Sequence, residues 1–154
     1  DKVINKPALS KVVFHVIGDN DSAESIALRK LCSGANNVKF HGWCGANEVT
    51  RLLNTMDGVV MPSSFEGVPL VMIDAINSNK VVFASAIDGM LEFLPKEFLF
   101  ERGDYSSAIA LLVDYVKNSA DYLELLLETK ENFKLFNKEA TNAANNKIIT
   151  NITI

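Results

Sequence analysis

Two carboxylates with seven residues between them, Glu66 and Asp74, are the groups in this chain best placed to do chemistry. Ser64 precedes them, and Gly67, Val68, Pro69, Leu70 and Val71 lie between them, where a polar loop gives way to helical spacing. Backbone N–H groups left unpaired at a helix start, with the helix dipole behind them, form a site for an anion such as phosphate. The stretch therefore pairs an anion cradle with two acids. Each acid also has a plainer reading. Glu66 can be a loop carboxylate at a helix start whose first position is Pro69. At ~100° per residue Val71, Met72, Ala75 and Ile76 form a core stripe, which leaves Asp74 off its centre as a solvated flank residue or a ligand-facing one.

The elements that must position these residues read as alternating strands and helices. Residues 1–11 are polar with Pro7 and read as a helix end or loop. Residues 11–17 are apolar and β-branched and predict a buried strand, followed by a loop at Gly18. Asp19, Asp21 or Ser22 can cap a helix running to about Leu31, with its exit at Gly34. A second strand spans residues 38–43 through Gly42, and Asn47 caps a helix that ends before Asp57 and Gly58. Gly58, Val59, Val60 and Met61 begin a third strand, and residues 81–85 form a fourth. A loop at residues 86–90 leads to a short segment holding Glu92, and residues 98–100 form a last strand. Two helices, about 105–117 and about 120–142, close the chain; residues 142–154 lack periodicity and read as a frayed or pairing tail. This pattern predicts an α/β architecture, a parallel sheet covered by helices on both faces. Ligands of such sheets sit beyond the carboxyl ends of the strands, where the loops at Gly18, Gly42, 62–67 and 86–89 gather.

Composition narrows the classes. The chain has 154 residues, 48% hydrophobic and 22% charged, which suits a single globular domain with a real core. Fifteen Lys and Arg against 19 Asp and Glu leave a net charge of −4, with no basic footprint for nucleic acid. No apolar run reaches the ~18 residues of a membrane span, and no signal peptide opens the sequence. Cys32 and Cys44 form no CxxC pair and read as free thiols of a cytoplasmic protein. His15 and His41 are the only histidines, too few for a His-rich metal site, so no metal is expected. His15, inside a strand, reads as a satisfied core histidine, and Trp43 as a packing residue. Glu124, Glu128 and Glu131 read as a solvated helix face.

Four blocks in order, Val16-Ile17-Gly18-Asp19, Val38-Lys39-Phe40-His41-Gly42, Pro62-Ser63-Ser64-Phe65-Glu66-Gly67-Val68-Pro69-Leu70-Val71, and Gly89 with Glu92, together resemble the C-terminal donor-binding domain of retaining glycosyltransferases of family 4, the group 1 glycosyltransferases. The resemblance implies half of a GT-B fold, a Rossmann-like parallel sheet, over residues 1–141. It implies a UDP- or GDP-sugar donor, with no further cofactor, and transfer to a glycan or glycolipid acceptor. By the same resemblance Glu66 is the catalytic acid beside the donor sugar and Asp74 holds the ribose. The amides around Gly67, Val68, Pro69, Leu70 and Val71 serve the sugar and diphosphate, and Ser64 is among the donor-binding residues. Gly18 is among the donor-binding residues, the Gly42-Trp43 loop lies near the base, and Glu92 matches the acid after a Gly-Gly loop whose first glycine is here Asp88. Asp74 is one methylene shorter than the usual Glu. The family's first strand, with its Gly-Arg loop and Lys-Gly, and its acceptor domain have no counterpart ahead of Asp1. The expectation is a fragment without turnover, from a cytoplasmic parent enzyme that associates peripherally with the inner membrane.

Two other readings stay open on the sequence. The same scaffold can serve as a non-catalytic nucleotide- or sugar-recognition module or a partner-binding domain, which the absent cations and Asp74 favour. A phosphoacceptor signalling domain of similar topology needs an Asp at a strand's carboxyl end, and Asp57 lies before its strand instead.

Overall fold

The computed structural model describes residues 6–18, 21–67 and 69–150, with side chains described through residue 134. A 3-10 turn at Pro7–Leu9 buries Leu9 and leads into β1 (Phe14–Val16). Ser22 caps α1 (Ala23–Leu31), its Oγ accepting from the Ser25 N–H at 3.2 Å. β2 (Val38–Phe40), α2 (Ala46–Asn54), β3 (Gly58–Met61) and α3 (Leu70–Asn77) follow. Then come β4 (Val81–Ser85), α4 (Asp88–Leu91), β5 (Leu99–Phe100), α5 (Tyr105–Lys117) and α6 (Ser119–Thr150).

β1 and β2 are shorter than the expected strands at 11–17 and 38–43, and three helix boundaries also differ from expectation. Asn47 does not cap α2; Gly45 occupies that position in extended backbone with no side-chain cap, and Asn47 falls inside the first turn. Pro69 sits at the cap of α3, one position before the helix proper. The last helix runs on to Thr150 instead of ending near Asn142, because neither Gly nor Pro occurs after Gly103 to stop it. Residues 151–154 of the expected tail lie outside the described residues.

Every described strand pairing is parallel, with helices in the crossovers, as the alternating pattern requires. The strands form two hydrogen-bonded pieces, β1–β2 and β3–β4–β5. All five residues of β4 are buried. Successive side chains point to opposite faces, so this strand is covered on both sides. Phe83 anchors one side against Phe98, Tyr115 and Tyr122, with ring centroids 6.1, 5.2 and 5.6 Å away in edge-on arrangements. The Tyr122 hydroxyl donates to Asp114 Oδ2 at 2.7 Å, and burial together with that carboxylate pushes the phenol up to about 12. Met72, Ala75 and Ile76 bury the expected stripe of α3. Val71, expected with them, is 47% exposed: the first turn, Leu70 and Val71, stands out at the loop end.

Candidate functional site

The loops after β3, β4 and β5 converge on one open cleft. Ser64, Phe65, Glu66, Ala86, Ile87, Asp88 and Arg102 line it, and its volume is about 260 Å³. Glu66 is held by its own loop: the Ser63 hydroxyl donates to Glu66 Oε1 at 2.7 Å. Gly89 fixes the loop's position against α4. A Cβ built on Gly89 would stand 2.7 Å from the Glu66 carbonyl oxygen and 3.4 Å from that of Gly67, so only a glycine lets the two segments approach this closely. Gly89 thus acts on the site through the backbone of Glu66 and Gly67. Pro69 is buried, and α3 starts behind the loop with no side chain capping it, so its first N–H groups have no partner among the described residues.

Other expected site residues lie away from this cleft. Asp74 is exposed on α3, with no side-chain hydrogen bond to a described residue, which fits either a solvated flank or a free ligand carboxylate. Glu92 is exposed just past α4. Leu70 and Val71 are exposed at the start of α3, and Val68 lies outside the described residues, as does Asp19. Gly18 and Gly42 make a second structured turn, after β1 and β2. Both hold left-handed backbone, with φ of 85° and 69°, and the Gly18 N–H donates to the Gly42 carbonyl at 2.7 Å. Trp43 corrects its expected packing role. It is 82% exposed, because the turn at Gly42 carries it out of the β2 line, and its ring has Gly45 beneath it. His15 is half-buried and partnered, Nδ1 lying 2.8 Å from His41 Nε2 with the rings stacked.

Five cleft residues were not singled out from the sequence as ligand groups: Phe65, Ala86, Ile87, Asp88 and Arg102. Phe65 is 85% exposed beside Glu66. Arg102 follows β5, and the rule that ligands sit beyond strand ends would have found it had the last strand's loop been counted with the other four. Among the described residues no cluster of three or more His, Cys, Asp or Glu side chains could hold a metal ion. No described helix is long and apolar enough to cross a membrane.

The cleft is smaller than the ~300–1,000 Å³ usual for a whole drug-sized ligand, so it suits a group about the size of one ring. Trp43, Leu70 and Val71 leave further ligand-accessible surface on the loops.

Comparison with known proteins bears on family and fold. A family model described as glycosyl transferases group 1 matches residues 1–118. The sulfoquinovosyl transferase SQD2 of Arabidopsis thaliana is 30% identical over 116 residues, covering 71% of this chain and 22% of that protein. A sucrose-phosphate synthase of Thermosynechococcus elongatus superposes with a TM-score of 0.75 at 21% identity, over 94% of this chain and 40% of that one. The catalytic domain of the Helicobacter pylori cholesterol-alpha-glucosyltransferase superposes with a TM-score of 0.73 at 18% identity, over 87% of this chain and 85% of that one. The chain thus spans about a fifth of the Arabidopsis relative's length.

Proposed function

The chain belongs to the glycosyl transferases of group 1, with a GT-B-type α/β fold, and from that membership we propose that it is the donor-binding part of a retaining glycosyltransferase. In this reading a UDP- or GDP-sugar lies along the loops, its sugar in the cleft beside Glu66. The observation that carries the proposal is the convergence of Glu66, Asp88 and Arg102 on a ring-sized cleft next to an uncapped helix start. Glu66, oriented by Ser63, receives the sugar hydroxyls and supports the positive charge that develops at the anomeric carbon. The open N–H groups of α3 face the diphosphate and stabilise the charge it gains on leaving. Asp74, accessible on the same helix, accepts from the ribose hydroxyls, and the exposed face of Trp43 stacks on the base.

The three relatives carry names that do not agree on one product, so the acceptor here is proposed only as a glycan or glycolipid, met by a full-length transferase. Titration followed by NMR tests the reading, with UDP, GDP and their sugars as probes. Resonances of residues 62–74 should shift, and Glu66→Ala should weaken the sugar-bearing ligands by about tenfold, near 1.4 kcal/mol, while leaving free UDP or GDP largely unaffected. Silence of those resonances at millimolar nucleotide would sink the proposal and favour a partner-binding module on the same scaffold.

A further inference from the structure

Arg102 lies in a tight turn beyond β5. The Asp104 N–H donates to the Glu101 carbonyl at 3.0 Å, and Gly103 takes a φ of 81°, the pattern of a type II turn with Arg102 at its first central position. Of the two acids in the turn, Asp104 is already engaged: its Oδ1 accepts from the Ser106 and Ser107 N–H groups at 2.9 and 3.3 Å, capping α5. One guanidinium nitrogen of Arg102, Nη1, donates to the Ser64 carbonyl at 3.3 Å, which ties the side chain to another residue of the cleft lining. Its remaining N–H donors meet no described residue. Among the described residues it forms no ion pair within 4.0 Å, although Glu66 and Asp88 line the same cleft.

An arginine held at a cleft with most of its fork unspent is suited to a planar or tetrahedral oxyanion. The charge balance agrees. Glu66 and Asp88 alone would repel an anionic ligand, and Arg102 is the one cationic side chain among the residues that line the cleft. We propose that Arg102 binds an oxyanion of the ligand whose sugar sits on Glu66, an inference that rests on the donor-site reading above. That oxyanion belongs either to the donor's diphosphate or to an acidic substituent on its sugar, and Arg102 then sets donor selectivity. The plainer role, a staple between the β5 turn and the Ser64 loop, uses the hydrogen bond to Ser64 alone and leaves the rest of the fork without a task.

The experiment measures dissociation constants of the full chain and its Arg102→Gln and Arg102→Lys variants for UDP, UDP-glucose and UDP-glucuronate, with GDP and GDP-mannose alongside. If the sugar carries the oxyanion, Arg102→Gln weakens UDP-glucuronate about tenfold and leaves UDP and UDP-glucose unchanged. If the diphosphate carries it, Arg102→Gln weakens all the nucleotides that bind by a similar factor, and Arg102→Lys recovers most of the loss. In either case raising the salt from about 0.1 M to about 1 M, which shortens the screening length from ~10 Å to ~3 Å, weakens the native chain more than the Gln variant. Affinities of the Gln variant within about twofold of the native chain for every ligand overturn the inference. So does a loss with unchanged salt dependence, which marks the staple. If the native chain binds none of these ligands, the donor-site reading itself fails and Arg102 loses its role with it; a failure confined to the variants leaves that reading standing.

Discussion

His15 and His41 face each other across the β1–β2 pair with Nδ1 and Nε2 at 2.8 Å, so one ring must donate and the other accept. That bond requires at least one of the two nitrogens to be unprotonated. Burial, then the neighbouring His41, then Lys39 hold His15 below its ordinary value. From α2, the Glu48–Arg51 ion pair at 2.6 Å is the other charged feature near His41. A lowered histidine value in the folded state means that the unfolded chain binds more protons between the two values, so stability is present above about pH 6.5 and is lost as the pH falls through the folded value. Urea midpoints measured between about pH 7.5 and about pH 5.5 should fall on acidification, and His15→Asn should flatten that slope. An equal slope in the variant would remove His15 as its source. At this scale the sequence showed Glu66 clearly, since a loop acid before a helix start announces itself locally. Arg102 stayed hidden because its place beside Ser64 depends on contact across 38 residues of chain. Trp43 was misjudged because exposure is decided by the turn at Gly42, while residue type alone argues for packing.

Elements meet at the site through backbone approach as much as through side chains. Gly89 lies within α4, where alanine would ordinarily be favoured over glycine by roughly 0.5–1 kcal/mol. Here the added Cβ would meet the Glu66 carbonyl at 2.7 Å, and a backbone atom cannot rotate aside as a flexible side chain would. The clash outweighs the propensity. Gly89→Ala should therefore destabilise the chain by about 1–3 kcal/mol and shift the resonances of residues 64–67. Gly34→Ala, at a site with nothing within 4 Å and no left-handed backbone, should cost far less. Equal effects of the two substitutions in urea unfolding would show that the approach of α4 to the loop carries no special strain. Element types and order were legible because apolar runs, Ser22 and Gly34 mark them locally. Element ends were legible only where such a marker exists: α1 has Ser22 as its cap, whereas α6 has no Gly or Pro to close it and runs to Thr150.

Across the whole molecule the apolar core is lopsided. Its continuous cluster draws on Met61, Met72, Val81, Val82, Phe83, Phe98, Leu126 and their neighbours, all from β3 onward. In the first third, β1 has no fully buried residue, α1 buries none, and Ile26 and Leu31 of α1 are 57% and 67% exposed. The alternating pattern of the sequence showed parallel strands and crossover helices. It could not show that β1–β2 and β3–β4–β5 pair as separate pieces, since hydrogen bonding between distant strands leaves no local trace. Local opening follows buried contacts, so the two regions should differ in free energy of opening even though both have regular hydrogen bonds. Native-state hydrogen exchange should find the amides of β4, buried on both faces, exchanging only near the global unfolding limit. Amides of α1 and β2 should exchange through openings several kcal/mol cheaper, detected as rates at least a hundredfold faster at the same pH. Comparable protection in both regions would mean that the first two strands share the stability of the main core, and that the side-chain burial seen here understates how firmly the Gly18–Gly42 turn is held.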